Sequence, residues 1–403
     1  MNDGTAGRLK SAWEALDLND FRFAETSARE VLTQSPQDGE ALYLLGSALL
    51  FEGRLQEAVA PLRAAAALLT QRTVQYRLAH CLFGLGDLNA AEAALRREIF
   101  AFPDYASAHN TLGAVLAAQG RKQEALDALL TALRADPCHA EAAANAGAAL
   151  HELGRDAEAL PLLRQAAAAG PQIAQVQQNL GIVLHALQRY EEAAAAFKSA
   201  QAIDPHLAYA LSSQIWAELF ACDWREVGLH VEQMRRQARD GRIPVTPFVL
   251  LAVTDSAAEQ LKGTQAYLRE IGAGAQLPLQ AVRRVPTKRI RIAYLSFDFR
   301  QHAVAALISR LFELHDRQAF EVIGYSYGPD DGSPMRARLG RAFDRFIDGR
   351  HATNEDAARH LVELGVDIAI DLNGHTEGSR IGMLARRPAP VHRGARSSRQ
   401  ARG

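Results

Sequence analysis

Pro103, Pro137, Pro171 and Pro205 fall 34 residues apart, and Pro36 keeps nearly the same phase farther upstream. A fixed period of this length marks a chain built from stacked copies of one supersecondary unit, which restricts the fold more than composition can. Other residues keep time with the prolines. Leu112-Gly113, Ala146-Gly147 and Leu180-Gly181 stand in the first half of their units, and Ala125, Ala159 and Ala193 in the second. Leu45-Gly46 with Ala58, and Leu78-Ala79 with Ala91, extend the series upstream with one residue missing between those two units. In "AQGRKQEA" Gly120 stands where a first helix must stop, as Gly53, Gly86 and Gly154 do in their units. The closing proline cannot continue a second helix. A Gly or Ala on the first helix opposite an Ala on the second lets two backbones approach, with Leu116, Leu150 and Leu184 filling the layer between. One such unit cannot bury its own apolar face, so neighbours must stack into a superhelix with an extended concave groove.

The pattern resembles the tetratricopeptide repeat, a 34-residue helix-turn-helix. Five clear units run from about Gly39 to Pro205 and a degenerate one from Leu9 to Pro36, giving an expected repeat domain over residues 5–207. Most of its residues read as scaffold. From 208 to 287 the period is lost, although the sequence stays helical, and the two prolines of "RIPVTPF" mark a bend. This segment is expected to be an adaptor, with Arg235, Arg236 and Arg239 on a solvated helix face.

Charge excludes some classes of partner. The 45 basic and 46 acidic side chains give a formal net charge of −1, so there is no general pull toward nucleic acid or an acidic membrane. Cys81, Cys138 and Cys222 lack the paired spacing of a zinc site or disulfide framework and read as small core residues in a reducing compartment. The N-terminus carries charges at both ends with no continuous apolar run, and no stretch approaches the length of a membrane span. A cytoplasmic protein without metal, nucleic acid or membrane partners is the expectation.

At Lys288 the periodicity changes. "KRIRIAYLSFDF", "FEVIGYSY" from Phe320 and "VDIAIDLN" from Val366 are strand-like, and "HAVAALISRLFELHD" and "TNEDAARHLVELG" between them have helical spacing. Thr353 or Asn354 can cap the second of these helices. Strands alternating with helices predict a parallel sheet with right-handed crossovers, in which ligands sit at the carboxyl ends of strands. The loops "SFDFRQH" (296–302), "YGPDDGS" (327–333) and "DLNGHTEGSR" (371–380) should therefore share one rim. By position His302 opens a helix, where a neutral imidazole can accept a hydrogen bond or act as a base.

The segment from "KRIRIAYLSFDFRQH" through "GVDIAIDLNGHTEGSRIGMLARRPAPV", with "FACDWREV" at 220–227, resembles the first part of the catalytic region of protein O-GlcNAc transferases. The bacterial and plant SPINDLY-like members of glycosyltransferase family 41 are the relatives meant. The resemblance implies a mainly α chain: a tetratricopeptide-repeat superhelical solenoid followed by a partial α/β parallel-sheet domain, the N-terminal lobe of a GT-B fold, over residues 288–391. It implies metal-free transfer from UDP-GlcNAc to Ser or Thr of proteins threaded along the groove. His302 matches the active-site histidine of "S-x-D-F-x-x-H", with Asp298 bracing the loop. Asp371, Asn373, Gly374 and Thr376 match the cleft loop "D-L-x-G-Y-T", with His375 in place of the tyrosine. Asp330, Asp331 and Gly332 match a structural "P-D-D-G" turn. The relatives line their groove with asparagines at the sixth repeat position, where this chain has Asn145 and Asn179 but Thr111, Arg77 and Leu44 in the other units.

After Val391 the pattern breaks. In the family "R-P-A-P-V" leads into a further strand and the donor-binding lobe, whereas here "HRGARSSRQARG" follows. Residues 392–403 are expected to be a disordered Arg-rich tail of the kind out-of-frame translation yields, and a chain cut short there is expected to be inactive alone. The alternative is a non-catalytic tetratricopeptide scaffold for protein–protein interaction.

Overall fold

The computed structural model describes residues 3–71, 73–271, 289–376 and 378–394. The chain divides into two compact units, Met1–Pro205 and His206–Gly403.

The first unit is a solenoid of helix pairs. Its first helices are α1 (Asp3–Asp17), α3 (Gly39–Phe51), α5 (Val74–Gly84), α7 (Ala106–Ala118), α9 (Ala140–Glu152) and α11 (Ala174–Ala186). Their partners are α2 (Phe21–Gln34), α4 (Leu55–Leu68), α6 (Leu88–Ala101), α8 (Lys122–Ala135), α10 (Asp156–Ala169) and α12 (Tyr190–Ile203). Each first helix also packs against the first helix of the next unit. Gly53, Gly86, Gly120 and Gly154 end first helices in the left-handed conformation, φ +73° to +80°. Asn19 and Gln188 take the same conformation in the first and last units, at φ 63° and 60°. The glycines inside α3, α7, α9 and α11 answer to large side chains, and α5 carries Ala79 at that place. A Cβ at Gly113 or Gly147 would lie 2.5 Å from Leu129 or Leu163, one helical turn beyond the alanines the sequence reading placed opposite them. Leu116, Leu150 and Leu184 are buried between the helices.

In the second unit α13 (Ala210–Phe220), α14 (Val227–Asp240), α15 (Pro247–Val253) and α16 (Ala257–Glu270) pack around Leu211, Ile215, Met234 and Leu250. The arginines of α14 are not a plain solvated face. Arg235 and Arg239 both reach the buried carboxylate of Glu259 on α16, at 2.8 and 2.7 Å, and this pairing holds Glu259 down to about pKa 2; only Arg236 is broadly exposed. A carboxylate enters the helix contact there because two guanidinium groups and the Thr254 hydroxyl satisfy it. Of the three cysteines only Cys81 is a core residue; Cys138 and Cys222 are exposed because both sit in turns outside helices.

The rest of this unit is a five-stranded parallel sheet. Its strands are β1 (Ile290–Ser296), β2 (Phe320–Ser326), β3 (Arg345–Asp348), β4 (Ile368–Asp371) and β5 (Val391–Gly394), in the order β3-β2-β1-β4-β5. Helices α17 (Ala303–Glu313), α18 (Pro334–Ala342), α19 (Asn354–Glu363) and α20 (Ile381–Ala385) make the crossovers. Both faces are covered, as a parallel sheet requires. Ile292, Tyr294 and Val322 pack with Phe312 and Leu339 on one side, and Ala293, Leu295 and Ile323 with Ala357 and Leu361 on the other. The sheet runs past the boundary read from sequence. Val391–Gly394 pairs with Ile368–Asp371, so His392, Arg393 and Gly394, assigned to the tail, complete an edge strand. Four extended residues suffice, because β4 offers an open row of backbone groups. The adaptor beyond 271 and the tail beyond Gly394 lie outside the described residues.

Candidate active cleft

The strand order fixes where a ligand can sit. The chain winds from β1 to β2 and β3, then returns to the other side of β1 with β4, so the crevice opens beyond the carboxyl ends of β1 and β4. The segments leaving those ends are Phe297–His302 and Leu372–Thr376. Together Phe297, Asp298, Arg300, His302, Val304, Leu372 and Thr376 line a cavity of about 190 Å3.

Asn373 joins the two loops. Its side chain is 2% exposed, and its Oδ1 accepts the Phe297 N–H at 2.9 Å, the Ser296 hydroxyl at 3.1 Å and the Tyr327 hydroxyl at 3.1 Å. Its Nδ2 donates to Asp298 Oδ2 at 3.0 Å. Asp371 serves its own loop: its carboxylate accepts the backbone N–H of Asn373 at 3.1 Å and of Gly374 at 2.8 Å, while burial raises its pKa. Gly374 takes φ +60°, which lets the loop turn tightly there. The Thr376 hydroxyl donates to the Asn373 carbonyl at 2.9 Å. Asp371 and Asn373 thus shape the rim, and Thr376 lines the cavity.

The third loop supports the first from behind. Asp331 accepts the Gln301 N–H at 2.8 Å, and that bond leads the causes that lower its pKa to about 2. Asp330 accepts the Gly332 N–H at 3.0 Å within the turn. A Cβ at Gly328 would lie 1.8 Å from the Phe297 carbonyl oxygen, so only glycine lets the loops touch.

His302 is the N-cap of α17, with Nδ1 3.3 Å from the Val304 N–H it accepts. Its side chain is 38% exposed, and Nδ1 also lies 3.6 Å from Asp298 Oδ2. With Nδ1 accepting, the neutral ring carries its proton on Nε2 and can donate to a ligand oxygen. A shift of Nδ1 from the Val304 N–H to Asp298 would put the proton on Nδ1 and leave Nε2 a base. Asp298, 8% exposed, is held for either role by Asn373. His375 is turned away from this pair, edge-on to Tyr267 of α16 at 5.9 Å, with burial lowering its pKa.

Three participants lie in the loops read from sequence but were given no role there: Ser296, which opens the "S-x-D-F-x-x-H" motif, Tyr327 and Arg300. The first two bond to Asn373 from other segments, and Arg300 stacks 5.5 Å over the Phe297 ring with its Nε buried and unpartnered. The residues flanking the aspartate and histidine in "SFDFRQH" were the only signal for Arg300.

In the solenoid, Asn145 and Asn179 lie on the row of first helices. Asn145 donates to Asn110 Oδ1 at 2.9 Å, and Asn179 accepts from Gln175 at 2.9 Å. Asn110, one residue before the sixth position, is therefore a member of the row that position counting missed.

Residues 272–394 match the model of glycosyl transferase family 41, and residues 9–72, 76–138, 119–174 and 152–208 match a tetratricopeptide repeat model. The chain is similar to the probable UDP-N-acetylglucosamine–peptide N-acetylglucosaminyltransferase SEC of Arabidopsis thaliana, 26% identical over 44% of this chain and 18% of the relative. It is similar to the UDP-N-acetylglucosamine–peptide N-acetylglucosaminyltransferase of Caenorhabditis elegans, 35% identical over 26% of this chain and 9% of that one. The chain thus covers less than a fifth of the length of either relative. Among solved structures, an O-GlcNAc transferase mutant of Thermobaculum terrenum aligns over 72% of this chain and 50% of its own, at 26% identity and a TM-score of 0.44.

Proposed function

Because the chain carries tetratricopeptide repeats followed by a glycosyl transferase family 41 segment, we propose that it presents protein acceptors to O-GlcNAc transfer. The row containing Asn110, Asn145 and Asn179 would hold the backbone of an extended segment. The β1 and β4 loops would form the acceptor side of the transfer cleft. His302 would face the Ser or Thr hydroxyl through Nε2, with Asp298 and Asn373 fixing the ring, and Thr376 would line the same wall. The observation that carries this reading is the His302–Asp298–Asn373 chain of contacts at the sheet's switch point.

The donor would be UDP-GlcNAc, the nucleotide sugar in the relatives' names. A cavity of about 190 Å3 is smaller than the ~300–1,000 Å3 of ordinary ligand pockets, so the nucleotide needs further walls. Two exposed thiols suit a reducing, cytoplasmic setting, and among the described residues no helix is long and apolar enough to cross a membrane.

Incubating the purified chain with labelled UDP-GlcNAc and a peptide library tests the proposal. Peptides should be captured without turnover, and a donor-binding lobe from a relative should restore transfer that His302→Ala abolishes. Turnover by the chain alone would refute the claim that the nucleotide needs further walls. The same cavity size favours a second reading, a purely binding scaffold. Peptide capture with no transfer in any lobe combination would establish it.

A further inference from the structure

Arg77 occupies the sixth position of its repeat, where Asn145 and Asn179 stand in theirs, but its surroundings differ. The guanidinium carbon lies 4.9 Å from the Tyr43 ring centre, 5.3 Å from Phe51 and 5.6 Å from Trp13. Trp13 and Tyr43 pack at 5.1 Å, and Phe51 stacks on Phe21 at 5.8 Å. One Arg77 N–H donates to the Ser47 hydroxyl, which itself donates to the Tyr43 carbonyl at 2.6 Å. The buried acid nearby, Glu98, is spent on the backbone N–H groups of Thr73 and Tyr76. Among the described residues no carboxylate pairs with Arg77, which is half-buried, and none of its nitrogens is buried without a partner. Its remaining N–H donors are therefore open to a ligand.

Cation–π contact uses the flat face of a guanidinium and leaves the in-plane donors free. Those donors form a rigid fork that matches a carboxylate in two parallel bonds. The rings also hold the side chain in place, so a ligand would not have to order it. Since α1, α3, α5, α7, α9 and α11 pack side by side, Arg77 shares a row with the asparagines.

We infer that Arg77, on its bed of Trp13, Tyr43 and Phe51, binds an acidic side chain of the extended peptide. This rests on the groove reading given above and adds to it a preference for acidic acceptors. The aromatic bed continues past Arg77 to Trp13 on α1, so the row does not stop there, which favours an internal Asp or Glu over a terminal carboxylate.

The test uses the full chain and immobilised peptides in matched pairs that differ only by Glu in place of Gln, each with a free or an amidated C-terminus. The wild type should prefer the Glu peptide by about tenfold, the scale of a charge-assisted pair. Arg77→Gln should remove that preference while both peptides still bind, which also shows that the groove is intact. Arg77→Lys should restore only part of it, and Asn145→Ala should weaken both peptides alike. Equal binding of the pair by the wild type, or a preference that survives Arg77→Gln, would overturn this inference alone. Dependence on the free C-terminus would overturn the assignment to an acidic side chain. Failure of every peptide to bind would overturn the groove reading and this inference with it.

Discussion

Replacing Asn373 should separate a loop-fixing side chain from one that merely lies in the cleft. In Asn373→Ala the Phe297 N–H, the Tyr327 hydroxyl and the Asp298 carboxylate each lose a partner in a place that is almost closed to solvent. A buried group left unsatisfied costs about 1–3 kcal/mol, and more when charged. Hydroxyl groups can turn to other acceptors and water can enter from the adjoining cavity, so a total of about 2–5 kcal/mol is expected rather than the full sum. For a unit of this size that is a fall in Tm of about 5–15 °C, read by calorimetry or circular dichroism. Asn373→Asp distinguishes the causes. It keeps the shape and the acceptor for Phe297, but sets a second carboxylate 3.0 Å from Asp298 in place of the donor. At neutral pH it should be at least as unstable as the alanine variant. Because two close carboxylates bind a proton more readily than one alone, its deficit against the wild type should shrink as the solution is acidified to about pH 5, whereas that of Asn373→Ala should not. A loss of less than about 2 °C for Asn373→Ala, or the same pH response from both variants, would refute the account.

Gly147→Ala places a methyl 2.5 Å from Leu163 and should cost about 1–3 kcal/mol in chemical denaturation, although a buried Ala79 fills the same position two units earlier. Gly328→Ala, with its Cβ 1.8 Å from the Phe297 carbonyl, should force the β1 and β2 loops apart; amide exchange at Gln301, bonded to Asp331, should rise while exchange within β1 is unchanged. Glu259 titrates at about 2 when folded against 4.5 otherwise, so its contribution is present in full above pH 4.5 and is lost as pH falls toward 2. Trp216 fluorescence should report an acid transition of the α13–α16 helices in that window, and Glu259→Gln should narrow its difference from the wild type as pH falls through it.

Much of the architecture was legible in the residues because it is local. A 34-residue period, glycines at helix ends and prolines after them are signals within one or two turns of chain, and the helix pairs follow from them. Even the common rim of the three loops follows from the rule that parallel strands point the same way. The reading failed where contacts span long separations. Asn110 was missed because membership of the row depends on how α7 and α9 turn toward each other, not on position within a repeat. β3 and β5 were missed because "RFID" and "VHRG" hold too few apolar residues to show a strand's alternation, and their strand character comes from the neighbour they pair with.

The sequence by itself determined a repeat solenoid joined to a parallel α/β lobe, and placed His302 at a helix start. Only the tertiary structure decided that β4 lies beside β1, that Asn373 spans 75 residues to hold Asp298, and that Arg77 rests on three rings drawn from two other helices. The physical reason is one of range. Helix and turn signals are set by torsions and hydrogen bonds a few residues apart, whereas strand order and side-chain clusters are settled by which surfaces bury one another once the whole chain has packed.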